Sequence, residues 1–118
     1  MQYLLLIYQS EAATKTRSEA EAKAMFAEYG QLTQSIKESG HYKGGNPLQP
    51  IATATTVQVR DGKTLTTDGP FAETREQLGG YYLIDAAHLD DAIAIAARIP
   101  AARHGSIEIR PVWSVPAV

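Results

Sequence analysis

Two hydrophobic periods run through this chain. Tyr3 to Tyr8 (YLLLIY) is a continuous apolar run, too short for an ordinary helix, and it predicts a buried strand. Ser18-Glu-Ala-Glu21 then has the form of a capping box, with Ser18 as N-cap and Glu21 three residues on. Apolar or aromatic residues follow at Ala22, Met25, Phe26, Tyr29, Leu32 and Ile36, and Gly40 supplies a stop. The spacing predicts an amphipathic helix of about 21 residues, roughly 30 Å long. Residues 41–53 (HYKGGNPLQPIAT) read as a connection holding at most a short irregular strand, because Pro47 and Pro50 keep it out of a sheet centre. Residues 54–60 and 63–67 flank Asp61-Gly62, a dipeptide suited to a two-residue type I′ hairpin turn. Residues 80–86 (GYYLIDA) predict another strand. Leu89 to Ile99 predicts a second helix that opens on Asp90 and Asp91 and is ended by Pro100. Residues 106–113 (SIEIRPVW) predict an edge strand, with Ile107 and Ile109 alternating with Glu108 and Arg110.

The order strand, helix, hairpin, strand, helix, strand points to a single α+β domain over residues 1–118, a ferredoxin-like βαββαβ sandwich. In such a sandwich the helices cover one sheet face and the other face is polar. Here the first strand is apolar on both sides, with Tyr3, Leu5 and Ile7 opposite Leu4, Leu6 and Tyr8; Tyr81/Leu83 against Tyr82/Ile84 repeats the pattern. A surface of that kind must be covered, either by a second copy in a two-fold homodimer or by the C-terminal tail.

Composition narrows the function classes. The chain has 118 residues, a formal net charge of −2 and no cysteine. Thiol catalysis, disulfides and thiolate-bound metals are excluded, and the weakly acidic balance argues against nucleic acid as the main partner. The N-terminal apolar run is too short to span a bilayer and has no basic residues ahead of it, so a cytoplasmic protein without a membrane partner is expected.

Residues 66–80 (TTDGPFAETREQLGG) concentrate the candidate chemistry. Read as architecture, Gly69-Pro70 launches a short helical segment, Thr74 and Gln77 form a small capping box, Asp68 caps backbone amides, and Arg75 pairs with a neighbouring glutamate or a partner subunit. Read as a site, Asp68 and His41 are the proton-transfer candidates, while Arg75, Tyr29 and Tyr82 are the ligand-binding candidates lining one cleft. The histidines at 41, 88 and 104 lack metal-ligand spacing, so no metal site is expected. Lys43-Gly44-Gly45-Asn46 reads as a turn, with anion cradling as its alternative use. Trp113 reads as a packing anchor.

TDGPFAETREQLGGYYLIDA resembles the signature of the DGPF subgroup of YciI-like (YCII-related) proteins. The similarity extends to YLLLIY, to residues 44–50, to ATATTVQVRDGKTLTTDGPFAET and to AARIPAARHGSIEIRPVW. It implies a ferredoxin-like fold assembled as a dimeric α+β barrel, in a family whose members mostly lack an assigned activity. Some relatives occur beside or fused to extracytoplasmic-function sigma factors; others resemble small enzymes, including a dehydrochlorinase. A histidine–aspartate dyad proposed for the wider group is missing, since its two positions hold Tyr29 and Ile99. The expected function is small-molecule binding or cofactor-free catalysis in a pocket near the DGPF loop. The alternative is a non-catalytic, dimeric interaction module acting with a sigma factor.

Overall fold

The computed structural model of the protein describes residues 1–115. In chain order they form β1 (Gln2–Gln9), α1 (Glu11–Thr14), α2 (Glu19–Glu38), β2 (Tyr42–Pro47), β3 (Thr55–Arg60), β4 (Lys63–Asp68), β5 (Gln77–Asp85), α3 (Leu89–Ala96) and β6 (Ser106–Pro111), with 3-10 turns at Ile51–Thr53 and Pro100–Arg103. Four strands pair antiparallel in the order β2-β5-β1-β6, while β3 and β4 form a separate two-stranded sheet. The arrangement is α+β and consistent with the ferredoxin-like fold predicted. No helix among the described residues is long and apolar enough to cross a membrane.

Local chemistry explains the helices. The Glu21 amide donates to Ser18 Oγ at 3.1 Å, and the Ser18 hydroxyl reaches back to Glu21 Oε1 at 3.2 Å, closing the capping box at the start of α2. Short helix α1 was not anticipated; Ser10 caps it by accepting the Ala13 amide at 3.2 Å. Helix α3 stops at Ala96 rather than reaching Ile99. There the chain turns to bury Ile99 completely and enters the 3-10 turn through Pro100.

The connection after α2 and the hairpin that follows it meet expectation only in part. The short irregular strand allowed for residues 41–53 is Tyr42–Pro47, with a register shift between Tyr42 and Gly44, and it lies at the sheet edge, as its proline requires; Lys43-Gly44-Gly45-Asn46 is part of that strand and not the expected turn. The Asp61-Gly62 turn forms as expected, with φ of 51° and 72° at its two central residues. Its hairpin, however, stands apart from the four-stranded sheet. Residues 69–76 form bends and irregular backbone, not the expected helical segment. With no helix after it, Asp68 has no helix N-terminus to cap. Gln77 belongs to β5 and sends its Oε1 to the Glu11 amide at 2.9 Å, outside any capping box.

One face of the large sheet packs on the helices. Tyr3, Leu5 and Ile7 of β1 and Tyr82 and Ile84 of β5 are buried against Leu32 and Ile36 of α2 and Ala92, Ile95 and Ala96 of α3. On the opposite face, Leu4, Leu6 and Tyr8 and their neighbours Tyr81 and Leu83 are only half-buried. The described part of the C-terminal tail does not cover them, since Trp113 is 87% exposed and packs little of its surface within its own chain; residues 116–118 lie outside the described segment.

The turn into β6 tolerates no side chain. A Cβ on Gly105 would stand 2.1 Å from the Tyr8 carbonyl oxygen, an unyielding backbone atom. Gly105→Ala should therefore cost about 1–3 kcal/mol of stability in urea denaturation; an unchanged midpoint would show that this crossing yields.

Candidate ligand-binding cleft

An open cleft of about 500 Å³ lies between α2 and the β2–β5 edge of the sheet, on the helix side. Helix α2 contributes Phe26, Tyr29, Gly30, Thr33 and Lys37; β2 contributes Tyr42 and Gly45; β5 contributes Gly79, Gly80 and Tyr82. Its volume is in the range of small-molecule pockets, and five of its sixteen lining residues are aromatic.

Glycine makes the room. Gly45 sits opposite Tyr82 in the strand register, and a Cβ there would fall 2.8 Å from the Tyr82 ring and 2.9 Å from the Tyr81 carbonyl oxygen. Only a bare backbone lets the Tyr82 ring lie over β2. The ring meets Tyr42 edge-on, with centroids 6.3 Å apart and an interplanar angle of 74°. Gly30 is different in kind. It sits in the interior of α2, where glycine costs helix stability, yet a Cβ there would have nothing within 4 Å. Close packing does not require this glycine, and its absent side chain keeps the cleft wall open.

The polar groups of the cleft are few and defined. The Thr33 hydroxyl donates to the Tyr29 carbonyl at 2.8 Å, which commits its single proton. The 2.8 Å contact between Thr33 Oγ1 and Tyr82 Oη therefore has the Tyr82 hydroxyl as donor. Tyr82 is left with a free lone pair and acts on the cleft as an acceptor. Burial holds the hydroxyls of Tyr82 and Tyr29 above the ordinary value of 10.0, and the Ala101 amide opposes the shift at Tyr29. Both are neutral dipoles at physiological pH. Lys37 is the one formally charged residue among those lining the cleft, and its Nζ stands 5.0 Å from the Tyr42 ring centroid.

The five residues singled out in the sequence do not all meet here. Tyr29 and Tyr82 are in the cleft walls. Arg75 is exposed just before β5, at the end opposite His41, and Asp68 ends β4 in the separate hairpin; neither enters an ion pair among the described residues. His41 adjoins the Asp85 end, where its carbonyl accepts the Asp85 amide at 2.8 Å, and β5 spans roughly 27 Å between these ends. Thr33, Lys37, Tyr42 and Gly30 were not singled out, and Gly45 was read as part of a turn. A glycine inside a helical pattern was the available signal for Gly30.

His41 instead joins a cluster that sequence spacing did not reveal. Its Nε2 lies 3.1 Å from Asp91 Oδ2, and its Nδ1 lies 2.6 Å from Ser39 Oγ. The grouping has the residue types of a hydrolytic triad but not its oxyanion donors: the amides of Ser39, Gly40 and His41 are all bound to carbonyls of α2. The cluster is a clasp between the C-terminus of α2 and the first turn of α3. Asp91 is held below its ordinary 3.8 first by the Ala87 amide and then, against some desolvation, by His41.

Comparison with known proteins identifies the family. The YCII-related domain profile matches residues 1–116. An uncharacterized protein of Rhizobium meliloti (strain 1021) is 37% identical over 114 residues, which cover 95% of this chain and 92% of that protein. The chain belongs to the YCII-related family.

Two outcomes test this geometry. Gly30→Ala should stabilise the fold by about 0.5–1 kcal/mol, because the helix gains and nothing is displaced; destabilisation would mean that the wall is tighter than its geometry. Asp91 has a folded-state pKa below its unfolded one, so its contribution is complete above the unfolded value and disappears as pH falls through the folded value. Asp91→Asn should therefore melt lower than wild type at neutral pH, and the gap should close as pH drops below about 4. A gap that persists in strong acid would contradict the role given to its charge.

Proposed function

We propose that the protein binds a small, largely apolar molecule carrying an anionic group, in the cleft between α2 and the β2–β5 edge. The observation that carries this reading is Gly30, an interior helix glycine that no packing contact requires and that keeps the cleft wall open. Ligand chemistry follows from the lining. Tyr29, Tyr42, Tyr82 and Phe26 favour a flat ring system, Lys37 favours an anion with no carboxylate beside it to compete, and the Tyr82 oxygen accepts from a ligand hydroxyl or N–H. An aromatic or alicyclic hydroxy-carboxylate has this pattern.

The site so placed lies beyond the DGPF loop, on the far side of Gly79-Gly80, the last two residues of the 66–80 stretch. TDGPFAET supports placing the chain in the DGPF subgroup, and Asp68 and Arg75 then serve that corner rather than the ligand. The half-buried Leu4, Leu6, Tyr81 and Leu83 face supports a two-fold homodimer built through the sheet, on the plan of a dimeric α+β barrel. A cytoplasmic location fits this reading.

Thermal shift with salicylate and naphthoate tests the cleft. Both should raise the melting temperature of the wild type in a saturable manner. Gly30→Leu should abolish the effect, and Lys37→Gln should weaken binding by roughly 5–10-fold, the loss of one charge-assisted contact. Equal stabilisation of wild type and Gly30→Leu, or none with any aromatic acid, would overturn the assignment.

A further inference from the structure

Among the described residues, the β3–β4 hairpin pairs with no other strand of its own chain. It pairs in unbroken register from Thr55↔Asp68 to Arg60↔Lys63, about 20 Å of two-stranded ribbon. Its root is firmly built: the Gly69 amide donates to the Ala54 carbonyl at 2.7 Å, and the Thr56 hydroxyl donates to the Gly69 carbonyl at 2.8 Å. Beyond the root, every residue of β4 is exposed. Val57 and Val59 project on one side, 60% and 59% exposed, beside Thr66 and Thr64, and Leu65 on the other side is 46% exposed.

Such a ribbon is marginal alone in water, and its unpaired edges invite pairing. Free edges are commonly guarded by charge, but here the charged residues sit only at the tip, Arg60, Asp61 and Lys63, and at the root, Asp68. The central stretch is β-branched and uncharged on its Val57/Val59 side.

The size of the exposed surface indicates what covers it. A compact monomer of this mass exposes about 6,300 Å², whereas this chain exposes 8357 Å². Its radius of gyration is 16.4 Å, against about 13.5 Å for a compact chain of this length. The excess, about 2,000 Å² per chain, is of the order that an obligate homodimer buries. Two-fold symmetry lets one arm per copy be satisfied reciprocally, with no other protein needed.

We propose that β3–β4 is an exchange arm. In the homodimer each copy lays the Val57/Val59 face of its arm against the open sheet face of the other, the face that carries Leu4, Leu6 and Leu83. The inference rests on the sheet-face dimer and adds to it a clamp that the sheets alone do not supply. It is independent of any ligand in the cleft.

Analytical ultracentrifugation and hydrogen exchange test it together. The wild type should sediment as a dimer, and Val57→Lys/Val59→Lys should weaken that dimer by roughly 100-fold or more, the effect of losing two buried valines. The arm contributes nothing to the helix-packed core, so this variant should keep the wild-type circular dichroism. Amides of residues 55–68 should be protected in the dimer and lose that protection on dilution of the wild type, and equally in Leu83→Lys if that variant folds. A dimeric wild type whose arm variant is equally tight, or whose arm exchanges at one rate at every concentration, would overturn the arm and leave the sheet-face pairing standing. A monomeric wild type would overturn both.

Discussion

The placement of the Tyr82 ring over Gly45 is the constraint on which the rest of the structure depends. A Cβ at Gly45 would stand 2.8 Å from that ring, so the edge strand can carry no side chain at this register. Once the ring lies there, its hydroxyl reaches Thr33 and ties the sheet edge to the middle of α2. The same contact sets the spacing between helix and strand that leaves the cleft, and it leaves the Tyr82 oxygen as an acceptor there. A packing requirement inside one strand pair thus determines the polarity of the site.

The helix above it is used unevenly. Leu32 and Ile36 hold the C-terminal half of α2 on the core, whereas Phe26, on the same stripe, is 83% exposed at the cleft. The apolar stripe that formed the helix is longer than the core that receives it. The surplus is shared by the cleft mouth, the open sheet face and the hairpin arm, which together account for a surface too large for a compact monomer of this mass.

Much of the fold was legible where side chains signal locally. Ser18 with Glu21 and Asp61 with Gly62 specify their cap and turn through their own hydrogen bonds and φ preferences, and both formed where expected. The two-faced β1 was legible because period two assigns each residue to a side. The role of β2 was not, since Gly44 and Gly45 present no side-chain pattern and become a strand only through pairing with β5. The turn after Asp68 was misread as helical because Pro70 fits a first helical turn, but Phe71, 81% exposed, gives a helix there nothing to pack on. Of the site, Tyr29 and Tyr82 were reachable as aromatics on predicted elements, while the His41–Asp91 contact spans fifty residues and has no local signature.

The most direct measurement uses the glycines as reporters. Of the chain's nine, Gly30, Gly45, Gly79 and Gly80 line the cleft, while Gly62 and Gly69 belong to the arm and the DGPF turn. In a nitrogen-15 correlation spectrum titrated with naphthoate, the four cleft glycine amides should shift together and saturate at one dissociation constant, with Gly62 and Gly69 unmoved. Shifts at Gly69 with Gly30 and Gly45 silent would place the ligand at the DGPF turn and contradict the cleft.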